Sequence, residues 1–154
     1  MSFLKAKNYL SKYGFEDRII EFPISTATVS LAAEALNVSE GEIAKSMAFF
    51  IKEKAILVIM AGDKKIDNHK FKEEFDVKAK MISFDEVETV IGHAAGGVCP
   101  FGINEGIDIY LDESLKKYKI VYPACGSHSS AVKLKLEELE KCVKYIKWVD
   151  VSKE

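Results

Sequence analysis

KSMAFFIKEKAILVIMAG, residues 45–62, decides the fold class. Residues 45–52 and 55–62 are apolar runs of strand length, parted only by the polar pair Glu53-Lys54. Both runs are rich in Ile, Val, Phe and Met, so each reads as a buried strand. Strands joined by so tight a turn must pair antiparallel. A purely parallel, doubly wound sheet is therefore excluded.

Upstream, residues 3–13 read as a helix with Tyr9, Leu10 and Tyr13 on one face and Gly14 as its stop, and 18–22 (RIIEF) as a strand. Ser25 or Thr26 can cap a second helix, in which Val29, Ala32, Ala33 and Leu36 form the apolar face before Asn37 ends it. Ser39 and Glu42 have capping-box spacing. Downstream, Asp67 can cap a helix running to Phe75, and 79–83 (AKMIS) reads as a short strand. Ser83 and Glu86 open a helix that ends at Gly92. Strands follow at 106–112, 119–125 and 131–136, with a helical turn at 113–118. A last helix begins near Glu137, and YIKWVDV closes the chain as a strand. The reading is a mixed α/β (α+β) fold: one mixed sheet surrounded by helices, with enough strands to let the sheet curl towards a barrel. With no repeat, low-complexity tract or linker, residues 1–154 are taken as one domain.

The totals narrow the function classes. Apolar residues make up 48% of the chain and charged residues 30%, which is a globular and not a disordered composition. No apolar run has membrane-spanning length. The first residues, MSFLKAKNYLSKYG, lack a signal peptide's apolar core, so a cytoplasmic location is expected. The three cysteines, Cys99, Cys125 and Cys142, are widely spaced without a CxxC pair, which argues against a disulfide framework. Net charge is −2, and among 22 basic residues only Arg18 is an arginine. Bidentate guanidinium readout of bases is thus no theme of this surface. The lysine groups 64, 65, 70, 72 and 116, 117, 119 read as solvated faces.

Three stretches can carry chemistry. The first is GHAAGGVCPFG, residues 92–102. Gly96 and Gly97 permit positive φ and close approach of the backbone to a ligand, while Pro100 stiffens itself and Cys99. Bare amides in such a loop can stabilise an oxyanion. The loop can equally be a helix stop followed by a crossover, since it matches neither GxGxxG nor GxxxxGK[ST]. The second feature is Lys45 at the start of an apolar strand. There it could be partly desolvated and hold a phosphate or carbonyl oxygen, or simply be solvated. The third is ACGSHSS, residues 124–130, where Gly126 breaks a strand and His128 could act as acid, base or donor. His93, Cys99, Cys125 and His128 do not repeat any metal-ligand spacing, so no metal or cofactor is expected. A thiol nucleophile at Cys99 or Cys125 is a further reading. The GxSxG serine-hydrolase signature is absent.

Taken together, EIAKSMAFF with Lys45, GHAAGGVCPFG with Gly92, Gly96, Gly97, Pro100 and Phe101, and GSHSSAVKLKLEEL with Gly126 resemble one family over nearly the whole chain. It is the YbaK/ProX family of aminoacyl-tRNA deacylases, related to the editing domain inserted in bacterial prolyl-tRNA synthetases. Where the family pattern often has Thr after the lysine, this chain has Ser46. Where it often has Ser before the proline, this chain has Cys99. The resemblance implies a curled, barrel-like sheet. It also implies hydrolysis of the ester between a wrong, small amino acid and the 3′-terminal adenosine of tRNA-Pro or another tRNA, beside a synthetase or elongation factor. Lys45 and the amides of Gly96 and Gly97 would be the catalytic groups. Phe22, Ser46, Val98, Cys99, Pro100, Phe101, Gly126, His128 and Ala131 would contact the substrate. The rival class is a non-catalytic module that binds a nucleotide, an amino acid or a tRNA 3′ end in the same pocket.

Overall fold

The computed structural model describes residues 2–154. The hairpin is its centre. β2 (Ile43–Ile51) and β3 (Lys54–Ala61) pair antiparallel from Ala44↔Ala61 to Ile51↔Lys54. The turn is Lys52-Glu53, one residue earlier than expected, because Lys52 takes the left-handed conformation at φ 58° and Lys54 already belongs to β3. β3 explains why the second run is apolar throughout: Ile56 to Ala61 are all buried. Its side chains alternate between two cores, as strand geometry requires. Leu57 and Ile59 join Ala44 and Ala48 of β2 in the larger core. Ile56, Val58 and Met60 join Phe49, Phe71, Val149 and Val151 in the smaller one.

Around the hairpin lie β5 (Asp108–Asp112), β6 (Ile120–Pro123), β8 (Leu134–Lys135) and β9 (Tyr145–Val149), in the order β8-β6-β2-β3-β5-β9. The β2–β6, β3–β5 and β5–β9 pairs are parallel, so the sheet is mixed, as read from the sequence. It curls into an open half-barrel with β8 and β9 at its edges. Two small ladders flank it. β1 (Ile19–Glu21) pairs with β7 (Ser130–Val132), and β4 (Lys65–Ile66) pairs with β10 (Ser152–Lys153). The helices are α1 (Ser2–Ser11), α2 (Val29–Leu36), α3 (Asn68–Phe75), α4 (Phe84–Ile91) and α5 (Leu136–Cys142). Among the described residues no helix is long and apolar enough to cross a membrane.

Several local signals act as read. Asp67 caps α3 through Lys70, Asn37 ends α2 at φ 57°, and Gly92 ends α4 at φ 105°. Three segments differ. α2 is capped by Thr28, whose side chain accepts the Leu31 amide at 3.2 Å, and not by Ser25 or Thr26. Thr26 is engaged elsewhere, its amide donating to the His128 carbonyl at 2.6 Å. Residues 79–83 form only the single bridge Met81↔Phe49, since Ser83 immediately begins α4. The 131–136 strand is split at Lys133, whose amide is given to the Arg18 carbonyl; β7 pairs with β1, whereas β8 pairs with β6.

The lone arginine has a structural task. Its guanidinium meets Glu138 at 2.7 Å and so ties the segment before β1 to α5. That hydrogen bond, helped by the Lys135 amide, pulls the Glu138 carboxyl down to about 2 from an ordinary 4.5. A carboxylate depressed in the fold contributes stability that is present above its unfolded value and is lost as pH falls through the folded one. Wild-type protein should therefore lose this contribution between pH 4.5 and about 2. Arg18→Ala should show a shallower decline of the urea midpoint across that window; equal slopes would show that the pair is not linked to folding.

Candidate functional site

β6 stays with β2 for only two pairs, Ile43↔Tyr122 and Ala44↔Pro123. Beyond them the edge of β2 is open until the 80–82 segment covers it, where the Phe50 amide donates to the Lys80 carbonyl and the Ile82 amide to that of Ala48. A cleft of about 350 Å³ fills the gap, within the range of small-molecule sites. Its floor is the β2 stretch from Ala44 to Ala48. One wall is the turn into α2, Thr26 to Val29, and another is the glycine loop at Ala95, Gly96 and Val98. Ser130 and Ala131 close one end, and Met81 and Phe84 stand at the other.

Lys45 lines this cleft, and its ammonium donates to the carbonyl of Lys64. Half-burial lowers its pKa below the usual lysine range, with the Asp63 and Glu40 carboxylates working against the shift. The side chain is thus a partly desolvated cation with a fixed anchor, which is the state that makes a lysine effective towards an anion or carbonyl oxygen. On the other face of β2, the Ser46 hydroxyl is buried and has no hydrogen-bond partner among the described residues.

The glycine loop is tied at both ends. His93 is fully buried, and its Nε2 lies 2.6 Å from the Phe101 carbonyl, which can only accept. Desolvation lowers the His93 pKa, so the neutral ring donates through Nε2 and leaves Nδ1 without a partner among the described residues. Inside the loop, Gly96 is exposed at φ 86°, whereas Gly97 is buried and has no positive φ. The Gly97 amide is already spent on the Ala94 carbonyl at 2.9 Å. Within the described residues the amides of Ala95, Gly96 and Val98, all at the cleft, make no hydrogen bond, which leaves Gly96 and Val98 on either side of Gly97 open to a ligand.

Gly97 instead meets the 124–130 turn. The Gly126 amide donates to the Gly97 carbonyl at 3.0 Å, and a Cβ at Gly97 would lie 2.4 Å from the Ser127 nitrogen and 2.5 Å from the Gly126 carbonyl carbon. Gly126, at φ 78°, is in turn pressed against the backbone of Ser2 and Phe3.

Of the sequence candidates, Lys45, Ser46, Gly96, Val98 and Ala131 meet at the cleft. The others stand away from its lining. Cys99, Pro100 and Phe101 are buried behind the loop, with the Phe101 ring packed 6.1 Å from Tyr9. Phe22 is half-buried after β1, its amide joined to the Ser129 carbonyl. His128 is exposed; its carbonyl holds Thr26, and its Cβ lies beside the position a Cβ on Gly96 would take. Reasoning from motifs missed Thr26, Ala27, Met81, Phe84 and Ser130, because nothing local marks them; they arrive with the topology. The thiol reading fails on chemistry. Burial raises all three thiols, Cys125 and Cys142 to about 12 and Cys99 further, so none is a thiolate near neutral pH.

Gly97, whose amide the sequence reading casts as catalytic, is sterically a packing residue. Gly97→Ala should force the two loops apart and cost about 1–3 kcal/mol, the range for overpacking. Gly96→Ala, whose Cβ would press only on the side-chain Cβ atoms of Ala27 and His128 at 3.2 Å and 3.3 Å, asks for a small shift of these neighbours and some backbone strain, and should stay folded. Urea midpoints of the two variants decide this; equal losses would contradict the packing account.

Comparison with known proteins agrees with this architecture. Residues 24–142 match the family model of the aminoacyl-tRNA editing domain. YwhH of Bacillus subtilis (strain 168), an uncharacterized protein, is 43% identical over 155 residues, covering 100% of this chain and 99% of YwhH. The proline–tRNA ligase of Lactobacillus gasseri is 31% identical over 99 residues, which are 63% of this chain and 18% of the ligase. The chain thus spans less than a fifth of that ligase. A solved structure described as a proposed trans-editing enzyme for prolyl tRNA synthetase superposes with a TM-score of 0.88 at 28% identity, covering 99% of this chain and 98% of its own. With more than half its length matched by the family model and its whole fold shared with that structure, the chain belongs to the aminoacyl-tRNA editing domain family.

Proposed function

We propose that this chain is a trans-acting aminoacyl-tRNA deacylase that hydrolyses the ester of a small, mischarged amino acid at the 3′-terminal adenosine of a tRNA. The observation that carries the reading is the meeting of Lys45 with the uncommitted amides of Gly96 and Val98 around one small cleft. Family membership supports it, as does the likeness to the proposed trans-editing enzyme.

The chemistry follows from the groups present. Water adds to the ester carbonyl carbon, and the carbonyl oxygen becomes an oxyanion. The Gly96 and Val98 amides are fixed donors for that charge, and a preorganised donor is worth far more in a sheltered site than in water. Lys45 orients the carbonyl or the terminal phosphate. The tetrahedral adduct collapses by expelling the ribose oxygen, which takes up the proton that the attacking water gives away. The neighbouring ribose hydroxyl can relay that proton, so no histidine base is required. Gly97 keeps its place in the account as the residue that sets the loop, not as a donor.

Substrate size is set by Ala44 and Ala48 in the floor of the cleft, Ala95 in its wall and Ala131 at its end. The walls leave room for a small side chain, and Ser46 offers the polar group closest to Lys45 in sequence. Phe22 and His128 drop out of this selection. A net charge of −2 with one arginine supports modest affinity for tRNA, consistent with work beside a synthetase or elongation factor in the cytoplasm.

The test is a panel of Ala-, Cys-, Ser- and Thr-charged tRNAs on proline, alanine and lysine tRNA bodies. Wild-type protein should release one of these amino acids. Lys45→Ala should stay folded and lose roughly 10²–10³-fold in kcat/KM, the scale of removing one electrostatic contact in a transition state. Saturable binding without any release would make the protein a binding module. Release unaffected by Lys45→Ala would place the centre elsewhere.

A further inference from the structure

We propose that Met81 and Phe84, at the mouth of the cleft, form a stacking platform for the terminal adenine of the tRNA 3′ end. The inference rests on the deacylase reading of the cleft, and it names the part of the substrate that the cleft itself cannot hold.

Phe84 is 80% exposed and Met81 59%, and both border the cleft. No other large hydrophobic side chain among those described is as exposed as Phe84. The contrast with Phe49, Phe71 and Phe101, all fully buried, is a matter of placement. α4 buries Val87 and Ile91, and Phe84 belongs to the same stripe at i−3 and i−7. It is also the first residue of the helix, however, and there it stays exposed while bordering the cleft. The platform stands on fixed backbone. The Phe50 amide of β2 donates to the Lys80 carbonyl at 2.9 Å, the Ile82 amide donates to the Ala48 carbonyl of β2 at 3.0 Å, and Met81 bridges Phe49. The Ser83 hydroxyl is bonded to Glu86 at 2.9 Å at the start of α4.

An aminoacyl ester seated against Lys45, Gly96 and Val98 leaves its nucleoside outside. The ribose is one bond from the ester, so the attached base must emerge at the mouth of the cleft. There it needs a flat apolar surface, which an exposed phenyl ring supplies for any base. Charge sets the direction of the strand that follows. Lys78 and Lys80 are exposed just before the platform, whereas Asp85 and Glu88 on α4 repel phosphate. The 3′ strand is therefore led away over residues 78–80.

A short RNA hairpin ending in an unpaired CC-(2-aminopurine) reports stacking directly by quenching of the modified base, with or without an amino acid attached. Wild-type protein should quench it on binding. Phe84→Ala should lose the quenching and weaken binding roughly 5- to 100-fold, the reach of one base–aromatic stack. Phe84→Tyr should restore both. With charged tRNA, Phe84→Ala should raise KM and leave kcat nearly unchanged. Because Phe84 is exposed, its variants should fold as the wild type does. Turnover by wild type with quenching and KM unchanged in Phe84→Ala would overturn the platform and spare the deacylase. Quenching that depends on Phe84 without turnover of any charged tRNA would spare the platform and remove the deacylase. Neither quenching nor turnover would overturn both.

Discussion

The structure depends on one backbone contact between two loops. The Gly97 carbonyl accepts the Gly126 amide at 3.0 Å, and the space between Gly97 and Ser127 has no room for a side chain. Everything that borders the cleft on this side is set by the contact. It fixes where Gly96 and Val98 present their amides, and it sets the level at which the 124–130 turn passes the α2 entrance. That turn holds Thr26 through the His128 carbonyl, and so the wall formed by Thr26 to Val29 is placed as well. A carbonyl–amide bond between two glycines gives a backbone-only junction, which packs closer than any side-chain contact could.

A second constraint is the short union of β2 with β6. Two paired residues hold the sheet together at that point, and the next ones leave an edge open. Unpaired strand edge is usually a liability. Here the 80–82 segment covers part of it, and the rest becomes the floor of the cleft. Lys45 lies on that floor as the third residue of β2, with its ammonium on the Lys64 carbonyl just beyond β3. The hairpin that organises the core thus also positions Lys45, the one cationic side chain of the cleft among the described residues.

Legibility followed the range of the interactions involved. The β2–β3 hairpin, the stop at Asn37, the cap at Asp67 and the end of α4 at Gly92 rest on contacts within a few residues, and the pattern of residues displays them. Residues 79–83 read as a strand because their apolar content fits one; only the nearness of α4 limits them to a bridge. Thr28 caps α2 because Thr26 is drawn to His128, about a hundred positions away, and no local pattern can show that. The site divides in the same manner. Lys45, Ser46, Gly96, Val98 and Ala131 were found by motif and do meet at the cleft. Cys99, Phe101 and Gly126 carry the same motifs, but their task is to support the loops from behind. Gly97 looked like an amide donor because glycine permits close approach, yet the approach is to protein and not to ligand. Met81 and Phe84 left no trace in any motif, since their importance arises only when α4 and β2 frame a common opening.

In this loop the amides of Gly96 and Val98 are open to a ligand while that of Gly97 is committed to Ala94. The assignment can be read by nitrogen-15 NMR of the protein titrated with a non-hydrolysable amide analogue of a 3′-aminoacyl adenosine. The Gly96 and Val98 amides should show saturable downfield shifts. The Gly97 amide, held by Ala94, should keep its position and exchange slowly throughout. Shifts confined to residues remote from the cleft, or a shift of Gly97 with Gly96 and Val98 unmoved, would contradict the assignment.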